Sequence, residues 1–346
     1  MTRRTGEFGP GQPSRTSLLV AAGRAFGARE PDQSVRNPDW LAERLLGPEE
    51  LDLIAGHPIA AAFGQDYESA RQNLTVAGLS NLMLVRTRFI DERLEEALKD
   101  GAAQVVILGA GFDTRAYRFQ DLLAGRNVFE VDYHSTQELK RRRVQDALGS
   151  LPTNVVYVEI DFKREGLLDV LRRGGYQPGE KTFFIWEGVS MYLPEASVRE
   201  TLRAIASGSA PGSGLVMDLV GRIFIQALEK FPNHPQREFT DAWGEPWVFG
   251  LPDGRERQFF DECGLELCGI FPFTNRKIRP YLMREDGTRL GPSRREAMQA
   301  AARERRQRPR SRSRLKSLWK ALPFIWKTLA QRATWYAVAE LRVPQR

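Results

Sequence analysis

The chain has 346 residues, 42% hydrophobic and 27% charged, with 30 Gly, 20 Pro and only 2 Cys. That length holds one large domain with additions or two small ones, and the composition excludes wholly disordered, collagen-like and disulfide-scaffold classes. The net charge of +7 is uneven: residues 294–346 hold 15 Lys and Arg against 3 Asp and Glu, and the rest 36 against 41, so an argument for a polyanionic partner applies to the C-terminal part alone.

Residues 1–15 form a flexible lead rich in Gly and Pro. The start, Met1-Thr-Arg-Arg, is basic, but Arg24 and Arg29 interrupt the apolar stretch after it. No secretory signal is read, and a cytoplasmic location is expected. Helices are predicted over Ser17–Phe26, from Asp39 to Leu46 and over Asn81–Lys99, the last with Val85, Phe89, Leu94 and Leu98 on one face. The period then changes. Gln104-Val-Val-Ile-Leu108 is a short apolar run, the mark of a strand buried on both faces. Similar runs at Asn127–Val131, Val155–Ile160, Thr182–Trp186 and Leu215–Val220 alternate with helical patterns at His134–Leu148, Leu167–Arg173 and Glu195–Ala206. This alternation predicts a doubly wound α/β sheet. Leu265–Phe271 and Trp335–Leu341 read as two further strands. Cys263 and Cys268 read as buried or half-buried thiols. The histidines (His57, His134, His234) are scattered, so no metal site is expected. No apolar run approaches the roughly 18–20 residues that span a bilayer.

Ligands of open α/β sheets bind beyond the carboxyl ends of the strands. The first such end here is Gly109-Ala-Gly111-Phe-Asp113-Thr114-Arg115. Gly109 and Gly111 permit a tight turn and close approach to a ligand. Asp132 ends the next strand, 21 residues after Gly111, and there a carboxylate can accept both hydroxyls of an adenosine ribose. A dinucleotide site would carry Gly or Ala where this chain has Thr114. That substitution turns the reading from NAD toward S-adenosylmethionine, which has no phosphate to cradle.

The run from Val105 through Gly109-Ala-Gly111-Phe-Asp113-Thr114 to Arg118 resembles the first motif of the leucine carboxyl methyltransferase family. Phe129-Glu130-Val131-Asp132 resembles that family's second-strand acid, and Glu159-Ile-Asp161-Phe162 its adenine-contacting turn. Trp186-Glu187-Gly188-Val-Ser-Met-Tyr192-Leu193 resembles its signature after the fourth strand. The resemblance runs from about Arg15 to Phe273. It implies a Rossmann-like class I methyltransferase sheet with an N-terminal helical lid, and S-adenosyl-L-methionine as cofactor. It also implies roles: Gly109 and Gly111 behind the cofactor's amino-acid part, Asp132 at the ribose, Asp161 and Phe162 flanking the adenine, Glu187 near the α-amino group. Arg86 would pair with the cofactor carboxylate, with Arg88 as its rival, and Arg15 matches a basic residue of the lid. Tyr192 is the candidate to orient substrate. His134 reads as the start of a helix, and no catalytic base is named.

The expected domains are a lead and helical lid (1–100), a methyltransferase core (101–273), a basic and amphipathic insertion, partly mobile (274–334), and a closing strand with the C-terminus (335–346). The expected reaction is O-methylation of a carboxylate or hydroxyl on a small molecule. Methylation of a protein C-terminal carboxylate and NAD(P)-dependent oxidoreduction are the alternatives. In the insertion, Arg303–Arg314 reads as a solvated Arg/Ser/Pro segment. Residues 315–329 carry an apolar stripe with Trp319 and Trp326, split by Pro323. Docking of this stripe on the domain is expected over peripheral membrane contact, and no nucleic-acid partner is expected.

Overall fold

The computed structural model describes residues 12–230, 237, 240, 241, 243–273, 275–291 and 336–345. Strand β1 (Gln104–Leu108) is buried at every residue, because alternate side chains enter two different cores. Val105 and Ile107 pack with the N-terminal helices, Val106 and Leu108 with the opposite layer. On either side β1 pairs in parallel with β2 (Asn127–Asp132) and β4 (Thr182–Trp186). Next come β3 (Val155–Glu159) beyond β2 and β5 (Gly214–Leu219) beyond β4, both parallel. Finally β7 (Ala337–Arg342) lies antiparallel between β5 and β6 (Glu266–Pro272).

The order β3-β2-β1-β4-β5-β7-β6 is the doubly wound sheet expected from the alternation. Its antiparallel β7 departs from the six-stranded order of a dinucleotide fold. Strand order reverses between β1 and β4, so the carboxyl ends of these neighbours form a topological switch point, where α/β sheets bind ligands.

The N-terminal layer comprises α1 (Arg15–Ala28), α2 (Pro48–Ile54), α3 (Pro58–Phe63), α4 (Tyr67–Arg71) and α5 (Leu74–Lys99). The short helices α2 to α4, of 7, 6 and 5 residues, escape a periodicity reading because none completes two full turns. Their starts are local: proline in the first turn of α2 and α3, and the Asp66 side chain accepting the Ser69 N–H in α4. Helix α5 begins before the predicted Asn81, where the Asn73 side chain accepts the N–H groups of Thr75 and Val76. The helix expected from Asp39 to Leu46 is only a 3-10 turn over Ala42–Leu45. Asp39 caps that turn through Ala42 N at 3.1 Å, but it also binds Arg24 at 2.6 Å and the Thr114 hydroxyl at 2.6 Å, which ties it to the core.

The later helices are α6 (Arg115–Arg118), α7 (His134–Leu148), α8 (Leu167–Arg173), α9 (Glu195–Gly208), α10 (Arg222–Lys230) and α11 (Glu256–Asp261). Residues 275–291 lie against the N-terminal layer: Arg284 pairs with Glu30 at 3.0 Å and Asp32 at 3.2 Å, and Ile278 joins the core. Cys263 is buried and Cys268 exposed. Among the described residues no helix is long and apolar enough to cross a membrane. Arg303–Arg314 and the 315–329 stripe with Trp319 and Trp326 lie outside the described residues.

Candidate active site

Gly109 and Gly111 turn the chain out of β1 with φ of +61° and +42°, a region that side chains avoid. Space also demands glycine. A Cβ on Gly109 would lie 2.2 Å from Val189 Cγ2, and one on Gly111 3.1 Å from Ser17 Cβ. The segment after β4 and the first turn of α1 therefore close on the glycine turn from two sides.

The turn lines a cavity of about 1510 Å³ beyond the ends of β1 to β4. A pocket for one ligand holds about 300–1,000 Å³, so this one has room for two reactants. Asp132, Asp161, Phe162, Glu187, Arg86 and Tyr192 all line it, so the structure brings the sequence-predicted residues together.

Asp132 accepts the N–H groups of Gly111 and, at 2.6 Å, Tyr133. Burial pushes its carboxyl above the usual range, against the pull of those two donors. Asp161 accepts the Lys163 N–H at 3.0 Å and lies 3.4 Å from Arg164 Nε, so it closes a turn at the cavity wall. Phe162 stands beside it, half-buried on the core below.

Arg86 and Glu187 meet in the interior. Arg86 Nε lies 2.6 Å from Glu187 Oε1, and its Nη1 2.9 Å from Asp218 Oδ2 and 2.6 Å from the Tyr336 hydroxyl. The other Glu187 oxygen lies 2.6 Å from Arg115, which also pairs with Asp113 and, at 2.7 Å, Asp91. Arg118 links Asp91 to Asp39, and Asp39 holds Arg24. Burial would raise the Glu187 carboxyl, but Arg86, Arg115 and Arg24 outweigh it and bring it down to about 2. The chain of pairs joins four guanidiniums to five carboxylates, all buried. Glu187, held ionised at the cavity wall, can face the α-amino group of an amino-acid ligand.

Arg88 points elsewhere, donating to the carbonyls of Gln33, Ser34 and Arg36; Arg86 is the arginine of this pair that lines the cavity. The lid contributes Ser14, Thr16 and Ser17 to the wall rather than the Arg15 side chain. His134 is exposed and pairs with Glu159 at 2.8 Å.

At the far end, the Tyr192 phenol lies beside the Thr16 hydroxyl and the Trp247 indole nitrogen, and the Thr16 hydroxyl also neighbours Glu245. Burial, reinforced by Glu245, holds this phenol protonated. The Trp247 ring stands edge-on to Tyr192 and Phe224, with centroids 6.3 and 6.1 Å apart. His57 lies against Trp243, and burial brings its pKa to about 4. Its Nδ1 accepts the Ile59 N–H at 3.1 Å, so the neutral ring carries its proton on Nε2. Among the described residues no cluster of His, Cys, Asp and Glu could hold a metal ion.

Sequence reasoning missed Asp91, Arg115, Asp218, Glu245, Trp247 and Tyr336. Arg115, with Asp113 beside it, had a signal, being a charge set a few residues past a fully buried strand. Glu245 and Tyr336 had none, since their partners are 230 and 250 positions away.

A family profile described as leucine carboxyl methyltransferase matches residues 17–206. A Mycolicibacterium smegmatis protein provisionally named an S-adenosyl-L-methionine-dependent methyltransferase is 38% identical over 206 residues. That match covers 59% of this chain and 65%, just under two thirds, of the relative. A Bacillus subtilis protein with the same provisional activity is 32% identical over 217 residues, covering 60% of this chain and 71% of its own. Among solved structures, a DUF574 family protein from Streptomyces avermitilis is similar with a TM-score of 0.50 and 16% identity, covering 94% of this chain and 97% of its own. At that identity the likeness concerns the fold alone.

Proposed function

This chain belongs to the leucine carboxyl methyltransferase family, and from that premise we propose that it methylates an oxygen of a small molecule with S-adenosylmethionine. One observation carries the reading. The glycine turn, the ribose-type acid Asp132 and the Arg86–Glu187 pair converge on one cavity that extends to a second, aromatic end.

The residues present fit the cofactor. Gly109 and Gly111 set the turn after β1 on the cavity wall, where its backbone can lie behind a ligand. Asp132 offers acceptor oxygens to ribose hydroxyls, and Asp161 and Phe162 offer a polar edge and a ring for an adenine. Glu187 stays ionised and can hold an α-amino group, while Arg86 can reach a carboxylate. When bound, the cofactor supplies an electrophilic methyl on a sulfonium.

The chain's own task is to hold the acceptor oxygen in line and keep water out. Tyr192 and Trp247 present donors at the acceptor end, a protonated phenol and an indole N–H. Donors suit an oxygen that arrives ionised, a carboxylate or an acidic hydroxyl, because they stabilise its charge without removing a proton. The roof formed by α1 over Gly111 favours a small acceptor that fits inside over a protein terminus held in an open groove.

Calorimetric titration with S-adenosylhomocysteine and with NAD tests the cofactor. Binding of the first and not the second is expected, and the reverse would defeat the reading. A screen of small carboxylic acids and phenols beside a set of C-terminal peptides then tests the acceptor; methylation confined to the peptides would replace it.

A further inference from the structure

The first turn of a helix leaves backbone N–H groups without partners inside the helix. In α1 these belong to Arg15, Thr16 and Ser17. Ser17 N is capped locally by Ser14 Oγ at 3.1 Å. The other two are satisfied from far along the chain. Arg15 N donates to Glu245 Oε1 at 2.9 Å and Thr16 N to Glu245 Oε2 at 3.3 Å, and the Ser14 hydroxyl donates to Oε2 at 3.1 Å. Glu245 is 5% exposed, and its charge faces the positive end of the α1 dipole.

What this carboxylate joins is as telling as its bonds. On one side, Ser17 of α1 sits against Gly111. The residues just before α1 are tied to α7, with Ser14 N donating to Thr136 Oγ1 at 3.1 Å and Ser135 Oγ to the Gln12 carbonyl at 2.8 Å. On the other side, the segment bearing Glu245 and Trp247 is anchored to the turn after β4, where Val248 N and Phe249 N donate to the Met191 carbonyl at 2.7 and 3.1 Å. Glu245 thus bridges the roof of the glycine-turn end to the wall of the aromatic end.

We propose that Glu245 is a positioning residue that clasps α1 to the segment from Trp243 to Phe249 and so sets how long the cofactor and its demethylated product stay bound. The inference rests on the cavity being an S-adenosylmethionine site. Bonds to a buried carboxylate are charge-assisted, about twice as strong as neutral ones. Removal of the carboxylate leaves two backbone N–H groups without partners and frees the roof to lift from Gly111.

The test measures S-adenosylhomocysteine association and dissociation rates for the wild type, Glu245→Ala and Glu245→Gln, with hydrogen exchange of the same proteins. Glu245→Ala is expected to dissociate at least about tenfold faster, the loss of one charged hydrogen bond or more. Its association rate should stay within about threefold, since affinity changes of this kind fall mainly on dissociation. Amide protection should fall at Arg15 to Ser17 and hold in β1, β2 and β4. Glu245→Gln keeps the shape and one acceptor oxygen, and should fall between the two. A folded Glu245→Ala protein with wild-type dissociation overturns the clasp. If only Glu245→Gln folds, dissociation at the wild-type rate overturns it. A wild type that binds no S-adenosylhomocysteine overturns the cofactor reading instead.

Discussion

Asp132 ends β2 and Glu187 directly follows β4, the two strands that flank β1, and their surroundings move them in opposite directions. Burial raises Asp132, while three guanidiniums outweigh burial at Glu187. Asp132→Ala is expected to weaken S-adenosylhomocysteine binding by about 1–3 kcal/mol, the scale of a buried charged hydrogen bond, with the fold intact by circular dichroism. Unchanged affinity would remove Asp132 from the ribose. For Glu187 the folded pKa of about 2 lies below the ordinary 4.5. Its contribution to stability is therefore fully present above about pH 4.5 and is lost as pH falls through about 2. Glu187→Gln should be less stable than the wild type near neutral pH, because Arg86 and Arg115 lose a counter-charge. Its stability should also change less across that acid window, as urea unfolding at several pH values would read. Both acids were legible in the sequence because each closes an apolar run. Asp218 was not, because its value lies in facing Arg86, 132 positions earlier.

Contacts between elements decide what the glycine turn tolerates. Gly109→Ala meets a backbone with φ of +61° and a Val189 methyl 2.2 Å away. The strain alone amounts to about 1–2 kcal/mol, and the contact adds to it. Val189→Ala in the same chain removes the methyl but leaves the strain, so the double variant should regain only part of the lost denaturation midpoint. Full recovery would show that conformation does not matter there.

Beneath the turn, Glu130 in mid-β2 pairs with Lys140 of α7 at 2.8 Å, both buried. Lys140 Nζ also lies 3.4 Å from the Ala110 carbonyl, and Tyr117 donates to Glu130 at 2.9 Å. Lys140→Met should destabilise the protein by about 3–5 kcal/mol, the scale of a broken buried pair. Glu130→Gln with Lys140→Met should do so by less, since no lone charge remains; urea unfolding separates the cases. Read along α7, Lys140 is one more charge in a polar helical pattern, and only packing against β2 shows that it points inward.

At the scale of the molecule, the last strand holds the sheet's far edge. Ala337, Val338, Ala339 and Leu341 are buried, and β7 pairs with β5 on one side and β6 on the other. Tyr336 adds its hydroxyl to the Arg86–Asp218 pair. A chain ending at residue 335 should therefore fail to fold, because β6 loses its only bonded neighbour among the described strands and the Arg86–Asp218 pair loses the Tyr336 hydroxyl. A truncated protein with native far-ultraviolet circular dichroism and intact S-adenosylhomocysteine binding would refute this.

The sequence by itself determined the features set over short distances along the chain. Five apolar runs became β1 to β5, the doubles Gly109 and Gly111 became a turn, and acids at strand ends became cavity residues, because strand burial and turn geometry depend on near neighbours. Tertiary structure alone decided where β7 inserts, which arginine faces the cavity, how nine buried charges form one chain, and that Glu245 holds the roof. The physical reason is that an isolated buried charge is unstable and becomes tolerable only when its complement arrives from another element. That pairing is a property of the fold, which spacing along the chain does not record.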